Sequence, residues 1–559
     1  MNHSSFTYKN VFKGHDVMVF IPHEDDEINV AGATIYGLRQ EGFHVICVFA
    51  TNGDRSYLAE TRIQEAAAAL KMLGVPYEDI IILGYPDGEL DASRSPYAQG
   101  VGHTITVDGH DSTYGIADKD DFPMAEYGKH TPYTRTGFLE DVENLIRTYH
   151  PANIIAVDFD SHPDHRACSI ALETAIGHIL NEKGNTYFPI VLKAYAYNTG
   201  FESVADFNSL HLYSTKFNRG RLADPSFETD NPVYRWEERI RLPVMEPCRN
   251  QSLSRNLIYQ ALRCHVSQRA FLKANQIINS DQVYWLRRTD NLAFCGTTTA
   301  SSGNAEAVHD FKMVDVKNIA DKKLAFDTCL WEPSSMDKER SITIHFYKPQ
   351  HISVVKLYGN VNRGSRILAG RLVFSNGYSV ETGPLEHNGQ ATDIPIESQN
   401  GIKWVTFQVL KTEGPHPGLT EWEIFDHPCP DMHICKILVN GEFAYHWDMY
   451  PGEMAKVGFY TYLENMPVVW KMNDVEMTLD KLNKMIAAGV LTSRIQAVSA
   501  QTGEILDEVY LRKASIFDKV KECYYRFPRN RLRRWIDRQK IARKHHKLRV
   551  LKRNSLKKI

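Results

Sequence analysis

The chain has 559 residues, which is too long for a single hydrophobic core and predicts about three or four folding units. Its hydrophobic fraction of 43% and charged fraction of 24% are typical of globular proteins and exclude a disordered or fibrous chain. The net charge of −3 conceals an asymmetry, because residues 526–559 contain fifteen Lys/Arg and one acid, a net charge of +14 that leaves −17 for the rest.

The sequence favours a cytoplasmic location. No run of about eighteen apolar residues occurs, and residues 1–16 lack the apolar stretch of a signal peptide. The nine cysteines are scattered, odd in number and without a CxxC pair, which is typical of free thiols in a reducing compartment.

The first third of the chain alternates short apolar runs with amphipathic segments. Such alternation predicts an α/β fold, with a Rossmann-like, mostly parallel sheet and helices on its faces. Ligands of these sheets bind at the carboxyl ends of the strands. The pattern predicts strands at 17–21, 45–49, 80–83 and 154–157, and helices at 28–40, 59–73 and 138–146, with Gly74 as a C-cap.

Two polar clusters follow predicted strands. Residues 22–27 read PHEDDE directly after the first strand, and residues 162–165 read HPDH soon after the strand at 154–157. Either cluster alone is also typical of a solvated loop. Together at strand ends they favour a hydrolytic metal site, which needs about three protein ligands and an open position. A further carboxylate then takes a proton from water, and a His stabilises the oxyanion.

These clusters resemble the paired signatures of the PIG-L/LmbE-type N-acetylglucosaminyl deacetylases, whose usual forms are [A/P]HPDDE and HPDH. The resemblance continues in TNGD at 51–54, in Arg62 and Glu65, in LGYPDG at 83–88 and in ALRCHVSQ at 261–268. It covers residues 14–290, about half of the chain. Glu24 stands where the family usually has proline.

The resemblance implies a role for each matching position. Asp25 would be the general base, His162 the acid or oxyanion-stabilising group, and Asp164 the residue that orients an imidazole. Arg62 and Asp87 are weaker candidates for holding sugar hydroxyls, and a structural ion pair of Arg62 with Glu65 or another acid is an equal alternative. The implied metal ligands are His23, Asp26 and His165.

The implied reaction is removal of the acetyl group from an N-acetylated sugar, of the N-acetylglucosamine type, in a glycoconjugate of glycan biosynthesis. Water polarised by the metal would attack the carbonyl with the help of Asp25. Zinc is the usual metal of the family, although Fe(II) and other divalent metals also suit two imidazoles and a carboxylate. Two alternatives stay open: a catalytically silent glycan-binding or membrane-recruited scaffold, and a metal amidase acting on a non-sugar amide.

The polar insertion at 90–136 is expected to shape substrate specificity. Its histidines (His103, His110 and His130) are not expected to be ligands, because the three implied ligands already fill the site. The deacetylase-like domain is predicted to span residues 1–290.

Residues 296–427 alternate apolar and polar residues, with a hairpin signal at Asn376-Gly377, and predict an all-β sandwich. This segment resembles the discoidin-type, galactose-binding-like sandwiches, which implies carbohydrate contact; a packing or dimerisation module is the alternative. The tryptophans expected in its core are Trp331, Trp404 and Trp422.

Residues 428–512 predict a small α+β region of unknown role, in which Cys429, His433 and Cys435 are expected to be structural rather than zinc-binding. Residues 513–559 predict a basic, partly helical tail. This tail suits an anionic membrane surface at the inner leaflet, with a merely solvated tail as the alternative and nucleic acid as the weaker fit.

Overall fold

A computed structural model of the chain describes residues 7–88, 106, 109–160, 162–196, 201–202, 211–217, 234–318, 323–362, 364–386, 389–429, 435–461, 466–489 and 493–557.

The N-terminal domain is built on one seven-stranded sheet. Its strands are β1 (Asp16–Ile21), β2 (His44–Thr51), β3 (Ile80–Tyr85), β4 (Asn153–Val157), β5 (Ile190–Ala194), β8 (Ile240–Pro243) and β9 (Asp281–Arg287), while β6 (Phe201–Glu202) and β7 (Lys216–Phe217) pair separately. The order is β3-β2-β1-β4-β5-β9-β8. The first five strands run parallel, and β9 and β8 are antiparallel additions. The predicted mostly parallel α/β sheet is confirmed.

The helices of this domain follow the predicted periodicity. Helix α2 spans the predicted residues and ends at Gly74, whose φ of +92° is the left-handed conformation of a C-cap. The side chain of Thr134 caps α4 by accepting a hydrogen bond from the Gly137 N–H. The helices are α1 (Asp26–Gln40), α2 (Ala59–Leu73), α3 (Phe122–Tyr127), α4 (Arg135–Tyr149), α5 (Pro163–Leu180), α6 (Glu246–Arg249), α7 (Leu257–Leu262) and α8 (Ala274–Ile277).

An antiparallel β-sandwich follows. Its elements are β10 (Gly296–Ala300), β11 (Val316–Asn318), β12 (Lys323–Leu324), α9 (Phe326–Cys329), β13 (Ser341–Ile352), β14 (Val354–Gly359), β15 (Arg366–Phe374), β16 (Ser379–Thr382), β17 (Ala391–Ile394), β18 (Gln399–Glu413) and β19 (Leu419–Phe425). The sheets β10-β13-β18-β15-β16 and β17-β14-β19 share one apolar core. Trp331 and Trp422 lie in this core as expected, whereas Trp404 is only partly buried.

A third unit has its own core and mixes strands with one helix. His433 lies outside the described residues; Cys429 is exposed and Cys435 is buried. The elements are β20 (Cys435–Val439), β21 (Glu442–Phe443), β22 (His446–Met449), β23 (Val457–Thr461), β24 (Val468–Met472), β25 (Val475–Met477), α10 (Leu479–Ala487), β26 (Ser493–Ser499) and β27 (Ile505–Lys513).

The basic tail is a long helix that packs on the N-terminal domain. Helix α11 (Ile516–Tyr524) continues through a π-helical turn (Tyr525–Arg529) into α12 (Asn530–Leu556). Buried Asp537 accepts a hydrogen bond from the Tyr259 hydroxyl at 2.9 Å, and Ile541 belongs to the core of the first domain. Helix α12 is therefore held against the first domain by a few buried side chains, while most of its residues are exposed.

Within the described ranges, no helix is both long and apolar enough to cross a lipid bilayer.

Candidate metal centre

The two polar clusters meet because their strands are neighbours. Strands β1 and β4 pair in parallel, so the loops after them leave the same edge of the sheet. The first loop runs into α1, and the second into α5. His162 caps α5, because its Nδ1 accepts the Asp164 N–H at 3.2 Å. The predicted juxtaposition of residues 23–26 with residues 162–165 is present.

One carboxylate oxygen joins the predicted metal ligands. Asp26 Oδ2 lies 3.1 Å from His23 Nδ1 and 3.2 Å from His165 Nε2, and all three side chains are buried. Ligand atoms held about 2.0–2.2 Å from one ion lie about 3.0–3.5 Å apart. These two distances suit neighbouring ligands of one ion. Among the described residues, the groups of three whose ligand atoms all lie within 4.8 Å of one another are His23, His162 and His165, and His23, Asp87 and Asp164.

Two further carboxylates hold the imidazoles from their other sides. Asp160 Oδ2 lies 2.8 Å from His165 Nδ1, and Asp164 Oδ2 lies 3.0 Å from His23 Nε2. Each carboxylate favours a proton on the nitrogen that faces it. The opposite nitrogens then turn their lone pairs toward Asp26, which is the arrangement that a bound cation stabilises.

The pKa values of the two histidines are raised and that of Asp26 is lowered, so the buried carboxylates here favour positive charge on the neighbouring groups. Burial lowers the pKa of His165, but Asp160 and Asp26 outweigh burial and raise it to about 9. For His23, burial is again outweighed, by Asp164 and Asp26, and the pKa is raised. Burial would raise the pKa of Asp26, yet the two histidines hold it well below its usual range.

The charge balance also fits a divalent cation. Several carboxylates are buried around His23 and His165, and buried Arg62 lies 3.4 Å from Glu24 and 3.8 Å from Asp25. Burying several negative charges close together costs free energy unless a cation offsets them. The carboxylates are Glu24, Asp25, Asp26, Asp87, Asp160 and Asp164.

The predicted base, Asp25, lies between two cations. Its Oδ2 is 3.6 Å from Lys273 Nζ, and its Oδ1 is 3.8 Å from Arg62 Nη2. Asp25 is the residue before α1 and adjoins the proposed ligand Asp26 in the sequence. The predicted oxyanion group, His162, is partly exposed, and its ring centroid lies 4.7 Å from those of His23 and His165.

Arg62 is placed to support the first loop. Its Nη2 donates to the Glu24 carbonyl oxygen at 2.8 Å and lies 3.4 Å from Glu24 Oε2. The sequence left two roles for Arg62, contact with sugar hydroxyls or a structural ion pair. The contacts favour the ion pair, with Glu24 rather than Glu65 as the acid. Glu24 fits because Gly53 has no side chain: a Cβ there would lie 2.3 Å from Glu24 Oε2. Burial raises the pKa of Glu24 to about 8 against the opposing effect of Arg62.

Asp87 lies at the rim of the same site. Its Oδ1 is 3.8 Å from His23 Nε2, and its N–H donates to Asp54 Oδ1 at 3.2 Å. Of the histidines in the insertion, His110 stacks on Tyr114 and His130 contacts Asp121 at 2.8 Å, while His103 lies outside the described residues.

Three supporting contacts were not predicted. Asp160 orients His165 as described above; its signal in the sequence is an acid two residues before HPDH, at the end of a strand. The other two come from the 261–268 segment, which the sequence comparison matched without a role. His265 Nε2 lies 2.6 Å from buried Glu27 Oε1, and Ser267 donates to Glu65 at 2.7 Å.

Residues 18–176 match the family described as GlcNAc-PI de-N-acetylase, PIG-L. Over this range the N-terminal domain is similar to the PIG-L family. All of the predicted site residues lie within the matched range, and Lys273 and His265 come from beyond it. Residues 291–425 match a domain of unknown function, DUF7402, which covers the β-sandwich.

Several solved structures are similar to parts of this chain at low identity. N,N'-diacetylchitobiose deacetylase from Pyrococcus horikoshii is 21% identical over 34% of this chain and 63% of its own, with a TM-score of 0.23. A deacetylase–teicoplanin complex is 16% identical over 49% of this chain and 100% of its own, with a TM-score of 0.28. The family 32 CBM of C. perfringens NanJ, in complex with galactose, is 10% identical over 24% of this chain and 95% of its own, with a TM-score of 0.19. No curated protein matches the chain.

Proposed function

We propose that the protein is a divalent-metal-dependent deacetylase that removes the acetyl group from an N-acetylated sugar. The observation that carries this proposal is the position of Asp26 Oδ2, 3.1 Å from His23 Nδ1 and 3.2 Å from His165 Nε2, beside Asp25. The match of residues 18–176 to the PIG-L family supports the same chemistry. Zinc is the proposed metal, and Fe(II) suits the same ligands.

His23, Asp26 and His165 would hold the metal, which supplies Lewis acidity and lowers the pKa of a water molecule. Asp25 accepts the proton of the attacking water as its oxygen bonds to the acetyl carbon. The C–N bond then breaks, the nitrogen takes up a proton, and acetate and a free amine result.

His162 is the proposed donor to the carbonyl oxygen. Because its Nδ1 accepts the Asp164 N–H, the proton of the neutral ring is assigned to Nε2. That N–H can donate to the oxygen on which negative charge develops. The partial exposure of His162 agrees with a position facing the substrate.

The proposed substrate is a glycoconjugate that contains an N-acetylglucosamine-type sugar, with Asp87 near the sugar and the β-sandwich as a further carbohydrate contact. We also propose a cytoplasmic location, which the nine free cysteines support, and a peripheral position at the inner face of the membrane.

Two substitutions test the reaction. Asp25→Asn should lower acetate release from N-acetylglucosamine glycosides by more than about 100-fold while metal stays bound, because the proton acceptor is lost and the ligands remain. His165→Ala should lower both the metal content and the rate. Metal content is measured by mass spectrometry of the purified protein.

Asp393→Asn, at an exposed acid of the sandwich, is the matched control and should change neither quantity. Acetate release that survives both site substitutions would contradict the proposal. Metal binding without acetate release from any amide would favour the silent scaffold, and release only from non-sugar amides would favour the amidase.

A further inference from the structure

The first half of the C-terminal helix exposes its apolar side chains. Helix α11 has no buried residue within its bounds. Six large apolar residues of α11 and α12 are between 56% and 86% exposed, which is unusual for contiguous residues of a globular protein. They are Ile516, Phe517, Val520, Tyr524, Leu532 and Trp535.

These side chains share one face of the helix. From Phe517 the positions 520, 524, 528, 532 and 535 follow at spacings of three or four residues, and position 528 is an exposed proline. The π-helical turn at Tyr525–Arg529 lies within this series, and the helix continues on both sides of it. The face is a continuous apolar stripe, and it is called the stripe below.

The other side of this helical half faces polar groups. It borders a cavity of about 640 Å³, into which the helix presents Lys521, Tyr525 and Arg529. The opposite wall includes Arg249 and Asp448. The helix is therefore amphipathic in the reverse sense of an ordinary surface helix, which packs its apolar face inward.

The second half of the helix fixes this orientation. Asn530 accepts the Leu253 N–H at 3.1 Å, Asp537 pairs with Arg263 at 3.1 Å, and His545 Nε2 lies 2.8 Å from the Tyr57 hydroxyl. Together with buried Ile541, these residues of α12 follow one another at intervals of seven, four and four positions, which places them on one side of the helix. The stripe is thus held away from the N-terminal domain.

The charge around the stripe indicates what covers it. Residues 513–540 contain ten Lys/Arg and three acids. A second copy would bring two such basic helices together, because a two-fold contact places the same surface on both partners. An anionic lipid surface attracts each basic residue by about 1 kcal/mol and accepts apolar side chains at the depth of its headgroups.

We infer that the stripe inserts into the interface of an anionic membrane, and that the flanking Lys and Arg side chains contact lipid headgroups. The stripe would be the surface through which the protein takes up the peripheral location proposed above, and the inference rests on that part of the proposed function. It does not depend on the hydrolytic site. Helix α12 then links the membrane-bound half to the N-terminal domain.

Co-sedimentation of the full chain with vesicles tests this inference. Vesicles of phosphatidylcholine with phosphatidylglycerol should bind the protein, and vesicles of phosphatidylcholine alone should bind it at least about tenfold more weakly, since several headgroup contacts are lost. Added salt should weaken binding to the anionic vesicles. The variant Phe517→Ser/Trp535→Ser should bind them at least about tenfold more weakly than the natural protein.

Met336→Ser is the matched control, because Met336 is 88% exposed in the β-sandwich and Phe517 is 86% exposed in the stripe. It should bind vesicles as the natural protein does. Equal binding of the double variant, or no binding to anionic vesicles, would overturn the inference. A dimer that Phe517→Ser dissociates, without vesicle binding, would overturn it in favour of a second copy. Acetate release is measured on the same samples, so that loss of membrane binding is separated from loss of activity.

Discussion

At the scale of single residues, the site depends on acids that do not touch the proposed metal. Asp160 Oδ2 lies 2.8 Å from His165 Nδ1 and also accepts the Ala196 N–H at 3.2 Å. These contacts fix the ring of His165 and favour the tautomer in which Nε2 faces Asp26. Asp160 is therefore a positioning residue for the metal ligand.

Asp160→Asn should weaken metal binding by about 10–100-fold, since outer carboxylates of this kind raise the basicity of the imidazole and hold its orientation. The measurement is a competition titration of the bound metal with a chelator. Because asparagine keeps an oxygen that can accept from Nδ1, the fold should be retained, as monitored by circular dichroism. An affinity equal to that of the natural protein would show that Asp160 has only a structural role.

The proposed metal ligands could be named from the sequence, whereas the contacts around them could not. Residues 23–26 and 162–165 were recognisable because residue type and order carry the chemistry. Lys273 could not be assigned, since its distance of 3.6 Å to Asp25 depends on how the chain after α7 folds back over the sheet. Glu24 was noticed as a departure, but its burial against Arg62 and Gly53 required the structure.

At the scale of elements, prediction worked where one periodicity governs burial. The apolar run at 17–21 became a fully buried strand, and 59–73 became α2 with the expected C-cap. Strands β8 and β9 were missed, because both carry buried polar side chains such as Arg241 and Asp281, which pair with each other at 2.7 Å. Helix α12 was read as a tail because basic residues dominate its sequence.

The contacts of Asp537 indicate that α12 stabilises the N-terminal domain. Asp537→Ala should lower the free energy of unfolding by about 2 kcal/mol, because the Tyr259 hydroxyl and Arg263 lose a buried charged partner. Urea unfolding followed by fluorescence measures the change. Asp480→Asn removes an exposed acid paired with Lys484 in the third unit and should cost less than about 1 kcal/mol. If both substitutions lowered the free energy of unfolding by the same amount, the contacts of Asp537 would not stabilise the N-terminal domain as predicted.

At the scale of the whole molecule, the three largest apolar cores of the described residues differ in how far they extend along the chain. The first core includes Ile541 of α12 and also Val316, Leu324 and Val361 from the segment of the sandwich, whereas most of the sandwich and the third unit have cores of their own. The proposed metal ligands all belong to the first unit: His23 follows β1, Asp26 begins α1 and His165 lies in the first turn of α5. Metal binding should therefore be coupled to the unfolding of one unit and not to that of the others.

Removal of the metal should lower the stability of the N-terminal domain alone. A ligand present at about 100 times its dissociation constant stabilises the folded state by about 2.7 kcal/mol, so chelation should shift the calorimetric transition of this domain to lower temperature. The transition of the sandwich should stay in place, because none of its residues contacts His23, Asp26 or His165 among the contacts described above. In His165→Ala the chelator should have little effect. A uniform shift of every transition would show that the units unfold together, and no shift in the natural protein would contradict metal binding between the loops after β1 and β4.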